Sequence, residues 1–333
     1  MQEVAKRAGV ASSSVSRVLS GFPHVSEVMR NRVMDAVTAL GYQPDLIARS
    51  LRSGATMTVG FVVGNISNPI LSEVVLGAEV RLQEAGYSML LTNSMNDDSV
   101  EARNITLLTQ RRVDGLLLAM ADERSPAAVA ALKASECPLV LVDRELRASD
   151  QRHMTVSSVR FRHAEGMQEA VRHLASLGHR RVGLVNGPLG VRPARARSAT
   201  LRGEARRLGL DATVRNGSFT AEHGFDATLA LLTSTTPPTA LIAGSNQILV
   251  GVLGAVRQLG LEIPRHLSLV TVDAVPLSAF TNPPLATVHR DNHEIGSAAA
   301  GLLLELLAKM PPRVVEIPTT YRPTESVGPP NQG

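Results

Sequence analysis

From residue 57 onward, short apolar runs alternate with segments of helical periodicity. The apolar runs predict strands at 59–63, 88–91, 115–118 and 139–142. The first segment between them opens with Asn68-Pro69, a capping residue followed by proline in the first turn, and ends at Gly86, as a helix does. Because strands and helices alternate, this part of the chain predicts a parallel sheet with helices on both faces.

The same alternation begins again at about residue 155. Further strands are predicted at 181–185, 239–243 and 267–272. Helices are predicted at 164–177, 194–208, 221–232 and 247–259, and a last helix and strand follow at 291–309 and 314–317. Two doubly wound parallel sheets therefore stand in series. Ligands of open α/β sheets bind beyond the carboxyl ends of the strands, so two facing sheets enclose a cleft.

The first twenty residues have a different pattern, which predicts a helix, a tight turn and a second helix. Val4, Ala5 and Ala8 share one helical face, Gly9 interrupts it, and an apolar face resumes at Val15. In a helix-turn-helix unit the second helix enters the major groove of DNA. The residues predicted to contact DNA in this region are Ser12, Ser13, Ser14, Ser16, Arg17 and His24. The alternative is an ordinary three-helix domain, which also contains a helix pair with a glycine turn.

The positive charge of the chain is concentrated near its start. The formal net charge is +4, and residues 1–56 contain seven Lys or Arg against four Asp or Glu. Such a concentration favours phosphate binding, although it also suits a solvated face. A third helix is predicted from Ser26, whose hydroxyl caps it, to Gly41. Arg30 and Arg32 lie off its apolar stripe, where they either contact phosphates or stay hydrated.

Residues along the whole chain match the motifs of a known family in identity and in spacing. In the first part they are Val4-Ala5, Ala8-Gly9-Val10, 15–19, Gly21, Gly41-Tyr42, Pro44 and 48–52. In the second part they are 66–69, 112–115, 142–144, 177–182, Asn186-Gly187, 195–197, Asp273 and Thr287-Val288. In these residues the chain resembles the lactose-repressor (LacI/GalR) family of bacterial transcriptional regulators.

The resemblance implies an all-α helix-turn-helix head followed by two α/β lobes of periplasmic-binding-protein-like (type I) architecture. It assigns the helix-turn-helix domain to 1–43, a hinge helix and linker to 44–56, and an effector-binding and dimerisation domain to 57–333. The N-lobe is then expected at about 57–155 plus 289–320 and the C-lobe at about 156–288. The implied partners are roughly palindromic double-stranded operator DNA, a second copy of the chain in a homodimer, and a small effector, either a sugar or a sugar acid.

The segment from Pro44 to Ser53 has a helical pattern of about two turns, which is marginal as an isolated helix in water. The resemblance implies a hinge helix that folds on the operator. Leu51 then inserts into the minor groove, with Arg49 and Arg52 beside it, and an apolar wedge of this kind suits a kinked duplex. The alternative is a plain linker.

The resemblance also places eight residues in the cleft: Ile70, Leu71, Asp143, Arg197, Phe219, Asn246, Asp273 and Arg290. Ile70 and Leu71 replace an aromatic pair that is common in the family, and Arg290 stands where glutamine is frequent. Polar side chains and an aromatic ring suit a polyol. Two arginines favour a sugar acid, whose carboxylate would compensate them, unless Asp143 neutralises one of them internally.

Patterns of other protein classes are missing from the sequence. It contains no phosphate-binding glycine loop and no Gly-x-Ser-x-Gly elbow, so no enzyme, catalytic residue or cofactor is predicted. His289 and His293 have no obvious third ligand nearby, and no metal is predicted. The lone Cys137 suits a structural thiol. A transporter's solute-binding protein would need an export signal in place of the head. Without such a signal or a run of about eighteen apolar residues, we expect a soluble, cytoplasmic protein with no membrane partner.

Overall fold

The computed structural model describes residues 1–19, 22, 24–42, 54–273 and 281–331. The chain forms two compact units, Met1–Thr56 and Met57–Gly333. Within the described ranges, no helix is both long and apolar enough to cross a membrane.

The first unit contains three helices, α1 (Gln2–Ala8), α2 (Ser12–Leu19) and α3 (Glu27–Ala39). Gly9 ends α1 in the left-handed conformation with a φ of 63°, which glycine adopts without strain. Val4, Val15 and Val33, one from each helix, are fully buried together. The hydroxyl of Ser26 accepts a hydrogen bond from the Met29 amide, so the predicted cap of the third helix is confirmed. The helix-turn-helix prediction is confirmed with it.

The N-lobe of the second unit is a six-stranded sheet in which all neighbours run parallel, in the order β11-β5-β4-β3-β1-β2. Its strands are β1 (Thr58–Val63), β2 (Ser88–Asn93), β3 (Gly115–Leu118), β4 (Leu139–Val142), β5 (Val156–Phe161) and β11 (Val314–Ile317). The helices on it are α4 (Pro69–Glu84), α5 (Asp98–Gln110), α6 (Pro126–Ser135) and α11 (Asn292–Leu307). One apolar cluster joins a face to α4 and α11, and another joins the opposite face to α5 and α6.

The C-lobe repeats this plan in the order β12-β10-β9-β8-β6-β7, with only β12 antiparallel to its neighbour among the described strands. Its strands are β6 (Arg181–Asn186), β7 (Asp211–Asn216), β8 (Ala240–Ala243), β9 (Ser268–Val272), β10 (Ala286–His289) and β12 (Thr320–Arg322). Its helices are α7 (His163–Ser176), α8 (Arg192–Leu208), α9 (Ala221–Leu232) and α10 (Asn246–Gln258). The predicted fold of two doubly wound parallel sheets is confirmed.

The boundary between the lobes lies later than the sequence placed it. Residues 156–161 were expected in the C-lobe, but they form β5, which pairs with β4 in the N-lobe sheet from Leu139 opposite Val156 onward. The chain therefore first crosses between the lobes after Phe161 rather than at about residue 155. It crosses back before α11 and crosses again before β12, which pairs with β10 in the C-lobe sheet. The expected return of the tail into the first lobe is confirmed for α11 and β11.

Candidate functional site

A cavity of about 110 Å³ lies between the carboxyl ends of the two sheets. All eight residues that the sequence assigned to the cleft line it: Ile70, Leu71, Asp143, Arg197, Phe219, Asn246, Asp273 and Arg290. Other lining residues, among them Asn68, Arg144 and Asn292, were not predicted. The crossovers and the two-sheet topology bring together side chains that are far apart in sequence.

Asp143 and Asp273 occupy corresponding positions in the two lobes. Asp143 follows β4 with a φ of 51°, and Asp273 follows β9 with a φ of 76°. Both values lie in the left-handed region, which residues other than glycine rarely adopt and which recurs at functional sites. This backbone conformation holds the two buried carboxylates at the cavity.

Asp143 is the centre of the charged network. Its carboxylate accepts hydrogen bonds from His163 Nε2 at 2.8 Å, Arg192 Nη1 at 3.2 Å and Arg290 Nη1 at 3.4 Å. Burial alone would raise the pKa of Asp143, but His163 together with Arg290 and Arg144 holds it well below the usual range. Burial lowers the pKa of His163 to about 4, so the imidazole is neutral at neutral pH and donates its Nε2 proton.

Arg290 is compensated within the protein. Its Nε donates to Asp273 Oδ1 at 2.5 Å, its Nη1 reaches Asp143, and its guanidinium lies 4.8 Å from the centre of the Phe161 ring. Asp143 therefore neutralises part of Arg290 internally, as the alternative from the sequence stated. This pairing removes the reason for assigning a ligand carboxylate to Arg290 itself.

Arg197 has a different environment. Its side chain is buried in α8, and its Nε donates to the amide oxygen of Asn186 at 3.3 Å. That oxygen faces Arg197 because the Asn186 amide nitrogen donates to Ala194 and Ser198. Burial, reinforced by the neighbouring charge of Arg290, lowers the pKa of Arg197 to about 10, so the group still carries its proton at neutral pH.

At the opening of the cavity, a hydrogen bond between two side chains links the first turns of two helices. The side chain of Asn68 caps α4 by accepting from the Ile70 amide at 3.1 Å. The same oxygen accepts from the amide nitrogen of Asn246, at the start of α10, at 2.9 Å. On the C-lobe wall the Phe219 ring lies against Gly187, where any Cβ atom would overlap it. An apolar wall and a polar bridge between the lobes thus border the same opening.

A second bridge, which we term the inter-lobe clasp, consists of Glu123, Arg192 and Arg195. Glu123, in the loop between β3 and α6, accepts from the Arg192 amide at 2.7 Å and forms an ion pair with Arg195. Its own amide donates to Gly190 across the cleft at 3.2 Å. Both arginine side chains are paired, and they are at most 31% exposed. Their partner was not predictable because it lies about seventy residues away on a loop.

Replacing Glu123 with glutamine is expected to loosen the clasp. The variant keeps an acceptor for the Arg192 amide but removes the charge that compensates Arg195, and hydrogen bonds to charged groups contribute about 1.5 to 3 kcal/mol. Amide hydrogen exchange in the peptides containing residues 123 and 192 should become at least tenfold faster, at about 1.4 kcal/mol per factor of ten. Glu145→Gln is the control, because Glu145 is half exposed and lies 3.8 Å from Arg192. Equal exchange in Glu123→Gln and the wild type would show that the clasp does not hold the lobes together.

Behind the cavity lies a buried carboxyl group, Glu101. It accepts a hydrogen bond from the Ala121 amide at 2.7 Å, while its other oxygen has no hydrogen-bond partner among the described residues. Burial raises the pKa of Glu101 to about 7. The group is therefore only partly ionised at neutral pH and compensates part of the charge of Arg144.

The first unit presents the residues predicted for DNA contact on and beside α2. Ser12, Ser13, Arg17 and His24 are exposed, whereas Ser14 and Ser16 are half-buried. The guanidinium of Arg17 lies 5.8 Å from the centre of the Phe22 ring. The three predicted hinge residues, Arg49, Leu51 and Arg52, lie outside the described residues.

No metal or reactive thiol site is evident in the part of the chain that the structure describes. His289 and His293 gain no further ligand there, and no group of three potential metal ligands occurs among those residues. Cys137 is free and half-buried, and burial raises the pKa of its thiol. This environment disfavours the reactive thiolate form.

Known families match both parts of the chain. Residues 1–45 match the model of bacterial regulatory proteins of the lacI family, and residues 171–327 match a periplasmic binding protein-like domain. The ribose operon repressor of Escherichia coli (strain K12) is 33% identical over 312 residues, which is 93% of each chain. The transcriptional repressor PurR of Haemophilus influenzae (strain PittEE) is 29% identical over 308 residues, covering 92% of this chain and 90% of that one.

The fold has a counterpart of known function among solved structures. A lac repressor dimer bound to operator and the anti-inducer ONPF superposes with a TM-score of 0.83 at 26% identity, and 98% of each chain is covered. These relatives are repressors rather than enzymes. The agreement extends over the head and both lobes, and the chain therefore belongs to the LacI family of bacterial regulatory proteins, as a transcriptional repressor.

Proposed function

We propose that this repressor binds a roughly palindromic operator as a homodimer, in the cytoplasm, and that a sugar or sugar acid in the inter-lobe cavity controls its operator affinity. The observation that carries the proposal is the cavity between the lobes, which is lined by residues of both lobes and spanned by hydrogen bonds between their side chains. A ligand that contacts both lobes favours one lobe arrangement over another and can therefore shift a conformational equilibrium.

The exposed end of α2 supports the DNA-binding part of the proposal. Ser12 and Ser13, in the first turn, and Arg17, one turn later, are exposed and can reach base edges or phosphates. One short helix reads only a few base pairs, so two copies related by a two-fold axis double the sequence that is read. The lac repressor that superposes on this chain is a dimer bound to operator.

The hinge assignment supplies a second kind of contact. We propose that Leu51 inserts into the minor groove and that Arg49 and Arg52 contact the DNA beside it. An inserted apolar side chain unstacks a base step and bends the duplex, so its removal should affect bending more than base preference.

The lining of the cavity supports a polyhydroxylated effector. Asn246 and the charged side chains can donate to or accept from hydroxyl groups, and Phe219 can pack on the apolar face of a sugar. Pockets for drug-sized ligands usually measure about 300 to 1,000 Å³. The cavity here, at about 110 Å³, is smaller than this range and therefore favours a small effector.

The proposal is tested with operator DNA selected from a random library by the full-length protein. Arg17→Ala should weaken binding by about 1 to 3 kcal/mol and relax the base preference, whereas Leu51→Ala should reduce the bend angle in a circular-permutation gel shift. Arg81→Ala, which removes an exposed arginine of α4, is the control and should bind like the wild type.

Two results would contradict this prediction. A monomer on DNA in sedimentation experiments would contradict the dimer and the palindrome. Unchanged affinity, preference and bend angle in both Arg17→Ala and Leu51→Ala would show that neither the recognition helix nor the hinge acts as proposed.

A further inference from the structure

We propose that the effector is a hydroxy acid of monosaccharide size, whose carboxylate pairs with Arg197 and whose hydroxyl groups donate to Asn246 and Asn292. This inference rests on the effector site proposed above and narrows the ligand from the sugars in general to their acids.

The charges that line the cavity do not balance. Its described lining contains the carboxylates of Asp143 and Asp273 and the guanidinium groups of Arg144, Arg197 and Arg290. Residues 274–280, which follow Asp273, contain no charged residue in the sequence. The lining therefore has one more positive than negative charge. Arg192, which also pairs with Asp143, lies 3.8 Å from the Glu145 carboxylate and therefore leaves this count unchanged.

The excess is located at Arg197, because Arg290 engages both aspartates. Arg290 lies 2.5 Å from Asp273 and 3.4 Å from Asp143. Arg197 forms no ion pair with any described residue, and its hydrogen-bond acceptor is the neutral amide oxygen of Asn186. A buried cation without a counter-charge is costly by several kcal/mol. A ligand carboxylate would remove this cost with a charge-assisted hydrogen bond to the guanidinium.

Arg144 is not the arginine that we assign to the ligand carboxylate. Its Nε donates to the carbonyl oxygen of Met120 at 2.6 Å, and its Nη1 donates to that of Asp143 at 3.0 Å. These two carbonyl groups hold the guanidinium against the N-lobe backbone. The N-lobe backbone thus occupies two of the five N–H donors of Arg144, whereas one donor of Arg197 is occupied, so Arg197 retains more donors for a ligand.

Two buried amide oxygens at the cavity have no hydrogen-bond partner among the described residues, Oδ1 of Asn246 and Oδ1 of Asn292. The orientation of each amide group is fixed by the hydrogen bond that its nitrogen donates. The Asn246 nitrogen donates to the Asn68 oxygen, which is already an acceptor for the Ile70 amide, and the Asn292 nitrogen donates to Glu73 at 3.2 Å.

These two oxygens are available to accept hydrogen bonds from a ligand. An unpartnered buried acceptor costs about 1 to 3 kcal/mol, which a ligand O–H group would recover. An ionised carboxylate has no proton to donate, so the ligand needs hydroxyl groups in addition to its negative charge. A polyhydroxylated acid supplies both, and Ile70, Leu71 and Phe219 supply apolar surface for its carbon chain.

The test is calorimetric titration of the full-length protein with matched ligands. Each acid is compared with its neutral counterpart, ribonate with ribose and gluconate and glucuronate with glucose, and glucose 6-phosphate serves as a different anion. We expect at least one acid to bind 100-fold or more tightly than its neutral counterpart. Arg197→Gln should abolish this preference, and Arg197→Lys, which keeps the charge, should retain part of it.

A second variant tests why Arg197 lacks a counter-charge. Arg290→Gln releases Asp273, which can then compensate Arg197, so acid binding should weaken while binding of the neutral sugar strengthens. Thermal unfolding of each variant shows whether it folds. If the Arg197 variants do not fold, the comparison of acids with neutral sugars in the wild type and the binding data of Arg290→Gln decide whether the inference holds.

The outcomes separate this inference from the function on which it rests. A neutral sugar that binds as tightly as its acid, or an acid affinity that Arg197→Gln leaves unchanged, would overturn the hydroxy-acid inference and leave the effector site intact. Tight binding of the sugar phosphate in preference to every acid would also overturn it. If no sugar, acid or phosphate binds, the proposed effector site fails as well.

Discussion

The variant Gly296→Ala should lose about 3 kcal/mol or more of its free energy of unfolding. Gly296 lies in α11 where this helix crosses α4, and a Cβ atom there would overlap the carbonyl oxygen of Val74 and reach the Ala78 amide nitrogen at 3.0 Å. Both groups belong to the backbone of α4, which cannot move aside like a flexible side chain. Overpacking of a well-packed site typically costs about 1 to 3 kcal/mol, and a rigid backbone places this site at or above the upper end.

A matched control lies in the same helix. Gly301 is also in α11, and a Cβ atom there would meet nothing within 4 Å. Gly301→Ala should therefore stabilise the protein by up to about 1 kcal/mol through helix propensity. Urea unfolding of both variants measures the difference. Equal stability of Gly296→Ala and the wild type would show that the two helices can separate without loss.

The C-lobe uses the same device at the corresponding helix pair. A Cβ atom at Gly251 in α10 would overlap the Ala221 carbonyl oxygen of α9, and one at Gly224 in α9 would overlap the Ile248 carbonyl oxygen of α10. These close contacts fix how α4 packs on α11 and how α9 packs on α10. The helix starts carry Asn68, Asn246 and Asn292, so the glycines fix the positions of polar groups at the cavity.

The sequence predicted most of the fold because buried parallel strands are apolar runs, as in Val59–Val63 and Leu139–Val142. It missed β7 and β12, which are largely polar edge strands without such a run, and the four-residue strand β10. It also missed β5, whose sequence Val-Ser-Ser-Val-Arg-Phe mixes polar and apolar residues, and this miss displaced the lobe boundary. Pairing depends on the neighbours that a strand meets, which single-sequence patterns do not record.

Eight of the residues that line the candidate site were predicted from the sequence, but others, such as Arg144 and Asn292, and most of the pairings between charged side chains were not. The eight lining residues stand at strand ends and helix starts, which the family resemblance identifies one by one. The pairing of Arg290 with two aspartates, and of Glu123 with Arg192 and Arg195, joins distant segments across the cleft. Whether the charge of an arginine is compensated therefore depends on the folded structure. In this fold Arg290 is paired with two aspartates, and Arg197 is the arginine without an ion pair among the described residues.

Asp143→Asn is the substitution within the cavity with the largest expected effect. Asparagine has the same shape, but it removes the charge that compensates Arg192 and Arg290, two side chains that are at most 17% exposed. Removing one partner of a buried ion pair typically costs about 3 to 5 kcal/mol. We expect a loss of this size in the free energy of unfolding, together with loss of any effector response in an operator gel shift.

The pH dependence distinguishes a charge effect from a general packing defect. The pKa of Asp143 lies well below its usual range in the folded protein, so the carboxylate contributes its stabilisation at all pH values above the ordinary pKa of about 4. That contribution is lost as the pH falls from there toward the folded pKa. The stability difference between the wild type and Asp143→Asn should therefore be constant from about pH 5 to 8 and shrink at lower pH.

Glu145→Gln is the control for this comparison, because Glu145 is half exposed and lies 3.8 Å from the same Arg192. An exposed ion pair contributes at most about 1 kcal/mol, so this variant should stay close to the wild type at every pH. If Asp143→Asn is as stable as Glu145→Gln, the two arginines are satisfied without the carboxylate. The charge count that assigns the unpaired cation to Arg197 would then have to be revised, because Asp273 would have to compensate more than Arg290.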